Sequence, residues 1–125
     1  MSRPRSETNK ELIVNYTDNT QLTMTVVSPA KLEVEGDRIF RSHAKWMEET
    51  HYREGEKALL QYTIAKSLEE DGYVTFVLTE VYENAAGLED HFARTDDWEA
   101  HGDFLKWAEE CKVTIATASI VHSLW

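Results

Sequence analysis

Between Glu89 and Trp107 the chain reads EDHFARTDDWEAHGDFLKW, a short stretch with two histidines, two tryptophans and six carboxylates. Imidazole is the side chain best suited to move a proton near neutral pH, and it is also the commonest metal ligand. His91 and His101 stand ten residues apart with a predicted helix break between them. A metal-binding helix places its histidines four apart on one face, so the spacing is no metal motif, although two ligands could still converge across the bend. The two histidines read instead as candidate catalytic groups, His91 as a general base toward a phenol or an enol. The alternative for His91 is a histidine hydrogen-bonded to backbone or sheet. Asp97 and His101, at i and i+4, are placed to pair, which would orient the imidazole and favour its charged form. Equally, Asp96, Asp97 and Glu99 suit the acidic start of a helix, where the dipole favours negative charge.

Other chemistry-bearing side chains lie on the elements around this stretch. Tyr62, Tyr82, Trp98 and His43 are candidate substrate-binding residues. A tyrosine pair can orient a phenolic substrate, or it can be core with its hydroxyls satisfied. His43 and Trp46 would form a cavity wall on the first helix. His51 falls at a helix end, where a charged imidazole is favourable in any case. Cys111, the lone cysteine, reads as a buried structural thiol and excludes an intrachain disulfide. No phosphate-binding glycine loop, Gly-x-Ser-x-Gly or cysteine pair is present, which argues against phosphoryl transfer, triad hydrolysis and structural zinc.

The elements that must position these groups follow from periodicity. Residues 1–19 read as a polar extension in which ELIVNY (11–16) forms a short accessory strand. QLTMTVVS alternates as a strand. After Pro29 the period turns helical, with Ile39, Phe40, His43, Ala44, Trp46 and Met47 on one face up to about Thr50. ALLQYTIAK (58–66) and YVTFVLTEVY (73–82) are strands joined across an Asp-Gly turn, the latter apolar on both faces. Asn84 caps a helix over 85–93. Asp96 and Glu99 read as a capping box that starts another helix, and KVTIATASIVHSLW closes the chain as a strand carrying His122 and Trp125. The order strand, helix, strand, strand, helix pair, strand is that of a ferredoxin-like α+β domain over 20–125. Two helical layers can cover only one face of the sheet, so a homodimer through the other face is expected.

Composition narrows the partners. The 125 residues carry 13 Lys+Arg against 23 Asp+Glu, a net charge of -10. Nucleic acid and anionic membranes both require positive surface, so neither is expected as a partner. No run approaches the roughly 20 apolar residues of a membrane span, and the opening residues lack a signal-peptide core. A cytoplasmic location is expected.

FVLTEVYENAAGLEDHFA (76–93) resembles the dimeric α+β-barrel superfamily, which contains the antibiotic biosynthesis monooxygenase domains. The likeness is a hydrophobic strand, Glu-x-Tyr at Glu80 and Tyr82, a polar turn, and a helix bearing His91, followed by Trp98, Phe104 and Trp107. THYREGEKALLQY (50–62) is similar to the stretch where glycine precedes the second strand, and HAKWMEETH, ALLQY, FVLTEVYE and HSLW resemble small bacterial members. The resemblance covers most of residues 20–125. It implies a ferredoxin-like βαββαβ chain with a four-stranded antiparallel sheet, closed as a dimeric α+β barrel, with a cavity between helices and sheet. Some members oxidise polycyclic phenols to quinones with molecular oxygen and no cofactor. Others bind and degrade haem through a histidine on the second helical segment, and others isomerise or sequester small molecules. By counting, His101 falls at the iron-ligand position of the haem branch, while His91 stands where that branch carries tryptophan. The Asn and Trp pair of some quinone-forming members is not recognisable. The expectation is a small apolar or aromatic ligand, no cofactor, and cofactor-free oxidation. The alternatives are a non-catalytic binding or stress-related dimer and, after these, haem binding.

Overall fold

Every second residue of TQLTMTVVSP is buried, and this alternation makes the first strand the spine of a sheet. The computed structural model describes residues 18–124. Its elements are β1 (Thr20–Pro29), α1 (Glu33–Thr50), β2 (Leu59–Lys66), β3 (Tyr73–Tyr82), α2 (Ala85–Arg94), α3 (His101–Ala108) and β4 (Lys112–Ser119). Short 3-10 turns at Ala30–Leu32 and Thr95–Asp97 precede α1 and follow α2. The sheet is antiparallel throughout in the order β2-β3-β1-β4. This is the ferredoxin-like α+β arrangement. The accessory strand expected at 11–16 lies outside the described residues.

The sheet is not closed into a barrel, which corrects that part of the expectation. Among the described residues β2 pairs only with β3 and β4 only with β1, so the two outer strands do not pair with each other. Four strands are too few to close, since small barrels need about eight.

In-register rows show what each face carries. Toward the helices run Thr20–Tyr82–Leu59, Leu22–Glu80–Tyr62, Met24–Leu78–Ile64 and Val26–Phe76–Lys66. The opposite face alternates threonine with small apolar side chains, as in Thr23–Thr79–Thr63 and Thr25–Val77–Ala65. Buried residues of α1 recur as Gly36, Ile39, Phe40, His43, Trp46 and Met47, a helical stripe laid on the first face. The β2–β3 hairpin turns through Asp71 and Gly72, both with positive φ, as the Asp-Gly signal requires.

Two boundaries differ from the sequence reading. α3 begins at His101 rather than Asp96, because Trp98 is buried and its Nε1–H donates to Ser42 Oγ at 3.0 Å. That contact holds Trp98 in an extended conformation, which no helix can pass through. β4 ends at Ser119, so His122 lies beyond the strand and is exposed. Among the described residues no helix is long and apolar enough to cross a membrane.

Candidate functional site

Strand parity puts a carboxylate into the core. Val74, Phe76, Leu78, Glu80 and Tyr82 all point toward the helices, and Glu80 is fully buried. The Tyr82 hydroxyl donates to Glu80 Oε1 at 2.5 Å, while Oε2 is buried with no hydrogen-bond partner among the described residues. Burial pushes the Glu80 carboxyl up to about 7, against the lowering effect of the Tyr82 hydrogen bond. Burial also drives the phenols of Tyr62 and Tyr82 far above their usual range, with the Glu80 charge adding to both.

Three histidines close over this carboxyl. His43 comes from α1, His51 from the residue just after α1, and His91 from α2; all are buried. His43 Nδ1 lies 2.7 Å from the Tyr62 hydroxyl. His51 Nε2 lies 2.9 Å from His91 Nδ1, and His51 Nδ1 lies 3.0 Å from Thr50 Oγ1. The Thr50 hydroxyl donates its one proton to the Trp46 carbonyl at 2.7 Å. The network then assigns the tautomers: His51 Nδ1–H donates to Thr50, and His91 Nδ1–H donates to His51 Nε2. His91 Nε2 is left with its lone pair, 3.8 Å from Glu80 Oε1. Burial, followed by the neighbouring His91 and His51, lowers His43 to about 3. Burial and Arg94 lower His51 to about 4. Burial, His51 and Arg94 do the same to His91, also to about 4. All three imidazoles are therefore neutral at pH 7.

The local sequence explains how α2 reaches this position. Asn84 Oδ1 accepts the Ala86 N–H at 2.8 Å and fixes the start of the helix. Gly87 lets it approach closely: a Cβ there would sit 2.7 Å from Tyr82 Cδ1 and 2.9 Å from the Lys57 carbonyl oxygen. At the other end, Arg94 Nη1 donates to the Thr50 carbonyl at 2.9 Å, and Arg94 Nε to Asp90 Oδ2 at 3.0 Å. Arg94 thus ties α2 to the end of α1 and holds His51 against His91.

A cavity of about 370 Å³ opens beside the cluster. Leu22, Met24, Leu78 and Ile115 form its sheet wall; Phe40, Phe92, Trp98 and Phe104 form its helical wall. His43 and His91 are its inner polar groups, and His101 with Thr95 and Asp96 is at its rim. The Trp98 ring stands edge-on to His43 with centroids 4.8 Å apart.

Of the residues singled out from sequence, His43, His91, Trp98 and His101 line this one cavity. Tyr62 and Tyr82 stand behind it, bonded to His43 and Glu80. His101 is 3.6 Å from Asp96 rather than paired with Asp97, since α3 begins at His101 itself. Sequence reasoning passed over Glu80 as a working group and gave His51 only a helix-end role. The signal for Glu80 was there: it shares the parity of Phe76 and Leu78 on a strand otherwise apolar on that side. Nothing local marked His51, whose place depends on the contact between α1 and α2.

Neither a protein-family model nor a curated protein matches the chain. Solved structures do. A dimeric ferredoxin-like protein from an uncultured marine organism superimposes with a TM-score of 0.63 at 17% identity, covering 86% of this chain and 100% of that one. A protein from Deinococcus radiodurans provisionally named an antibiotic biosynthesis monooxygenase gives 0.63 at 17%, covering 84% and 95%. One from Caulobacter crescentus CB15, named in the same way, gives 0.61 at 17%, covering 86% and 94%. The chain therefore has the ferredoxin-like fold that these structures share. At such identity the likeness extends to the fold alone.

Proposed function

We propose that the chain binds a small apolar or aromatic molecule in the cavity between helices and sheet and acts on it oxidatively. One observation carries this reading: an apolar cavity whose inner end is formed by His43 and His91, with the buried Glu80 carboxyl behind them. A dry cavity of roughly 150 Å³ holds benzene, so about 370 Å³ suits a compound of one or two rings. Its apolar body would lie against Leu22, Met24, Phe40 and Trp98. Its one polar group, a phenol or an enol, would meet His91 Nε2 at the inner end, and His101 at the rim would face the entrance. The names of the Deinococcus and Caulobacter structures support oxidation as the reaction class.

The test is a panel of phenols and hydroquinones followed by quenching of tryptophan fluorescence and by oxygen uptake. Saturable quenching with oxygen consumption is expected. His91→Ala should lower turnover about 10²-fold, the usual scale for losing a group that handles a proton. Binding without oxygen uptake would leave a sequestering protein. No binding at all would remove the cavity from the function.

The functional unit is proposed to be a homodimer through the outer face of the sheet. Val27 and Val77 on that face are only half-buried and have no cover from the chain's own helices, and the marine ferredoxin-like structure is described as dimeric. Sedimentation at micromolar concentration should give twice the 14.4 kDa chain mass; a stable monomer would overturn the dimer.

A further inference from the structure

We infer that His43, Glu80 and His91 form a binding site for a divalent first-row transition metal ion, zinc(II) or iron(II), open to the cavity. One ligand atom from each of the three residues lies within 4.8 Å of the others, and all three side chains are buried. Two nitrogens and one carboxylate oxygen are the donor set of catalytic zinc and of non-haem iron sites that keep positions open for substrate. Imidazole donors disfavour magnesium and calcium, which take oxygen ligands.

Three independent features point to a cation rather than a core of inert polar groups. The first is the orphan oxygen. Glu80 Oε2 is buried with no hydrogen-bond partner among the described residues, a costly state for a carboxyl that an apolar residue would avoid. The second is the lone pair. The Thr50–His51–His91 chain spends the Nδ1 proton of His91 away from the cluster and aims Nε2 toward Glu80. Two acceptors therefore face one another across 3.8 Å, a gap that a positive ion would bridge. The third is support from behind. His91 is held by His51, Glu80 by the Tyr82 hydroxyl, and the His43 ring by Tyr62. Outer partners of this kind orient metal ligands and set their tautomers. Bonds near 2.1 Å would bring the ligand atoms to about 3.0–3.4 Å apart, so the site would tighten by side-chain rotation on loading.

The ion would take up the His91 lone pair, and its open positions would face the ligand's polar group. In that state His91 acts through the ion rather than as a free base. The inference rests on the reading above only for the cavity as a route of access. The two fail separately, because metal uptake needs no organic ligand.

Cobalt(II) titrated into chelator-treated protein tests the site, since its visible absorption reports nitrogen and oxygen coordination. One ion per chain is expected with a Kd of about 10 µM or less, displaced by zinc(II) and unaffected by excess magnesium(II). His91→Gln and Glu80→Gln should each weaken it about 100-fold or more. No saturable band up to about 1 mM cobalt would overturn the site, as would a band that survives both substitutions. If either variant fails to fold, the wild-type protein decides. Zinc(II) should shift the imidazole nitrogen resonances of His43 and His91. Shifts confined to His101 and His122 would place the ion on the surface and overturn the inference.

Discussion

The helix-facing side of the sheet has two ends that do opposite things. At one end Val26 and Phe76 lie with Ile39, Phe40 and Trp107 in an apolar core, and the one charged group in their row, Lys66, is paired outside it with Glu33 and Asp37. Phe76 stacks on Phe40 with centroids 5.3 Å apart and meets the Trp107 ring edge-on at the same distance. At the other end, from the Leu22 row onward, the same strands present Glu80, Tyr82 and Tyr62 to three buried histidines. The first end stabilises by close packing. The second holds a carboxyl with an orphan oxygen in the same core, which costs stability and is therefore the end to associate with function. One sheet and the same long helix α1 serve both.

The largest effect is expected at the packed end. Gly36 of α1 sits so close to the rings that an added Cβ would lie 2.5 Å from Trp107 Cζ2 and 2.7 Å from Phe76 Cζ. Both neighbours are rigid aromatics locked by each other, so neither can yield. Gly36→Val should destabilise the protein by about 3 kcal/mol or more, lowering the melting temperature by roughly 10 °C or more. A variant that melts within a few degrees of wild type would show the packed end to be plastic, and the contrast would fail.

That contrast was partly legible in the sequence. Alternation in β1 and β3 set which residues face the helices, and the 3.6-residue period of α1 put His43 on the same stripe as Phe40 and Met47. Those rules are local, and they held. What the sequence did not show depends on contacts between elements. His51 gains its role only because Arg94 of α2 caps the end of α1. The start of α3 was misplaced because the burial of Trp98 against Ser42 overrides a good capping pattern at Asp96. Closure of the sheet rests on resemblance alone, and the order β2-β3-β1-β4, in which the outer strands β2 and β4 do not pair with each other, contradicts it.

The next effect belongs to the polar end and has the opposite sign. Burial raises the Glu80 carboxyl to about 7 in the folded protein from its ordinary value of 4.5. The folded state therefore holds a proton that the unfolded chain releases, and stability is lost as pH rises from about 4.5 through 7. Glu80→Gln keeps the shape and an acceptor for Tyr82 but cannot ionise. In chelator-treated protein it should raise stability by under about 1 kcal/mol near pH 5 and by about 3 kcal/mol near pH 8. Urea unfolding at the two pH values measures this. Equal effects at both would mean that Glu80 is not held in a protonated state by its burial.

The smallest effect comes from a second helical glycine and isolates what makes Gly36 special. Gly102 is the second residue of α3, next to His101 at the cavity rim, and an added Cβ there meets nothing within 4 Å. Alanine has the better helix propensity and restricts the unfolded chain, so a glycine with free space gains from the change. Gly102→Ala should stabilise by about 0.5 kcal/mol, somewhat below the mid-helix value because the position lies in the first turn. It should leave ligand binding unchanged, since the new methyl points into open space rather than into the cavity. Thermal unfolding read beside the binding assay checks both. Loss of stability at Gly102 comparable to that at Gly36 would mean that glycine serves a backbone need common to both helices, and that the packing of Phe76 and Trp107 is not what sets the two positions apart.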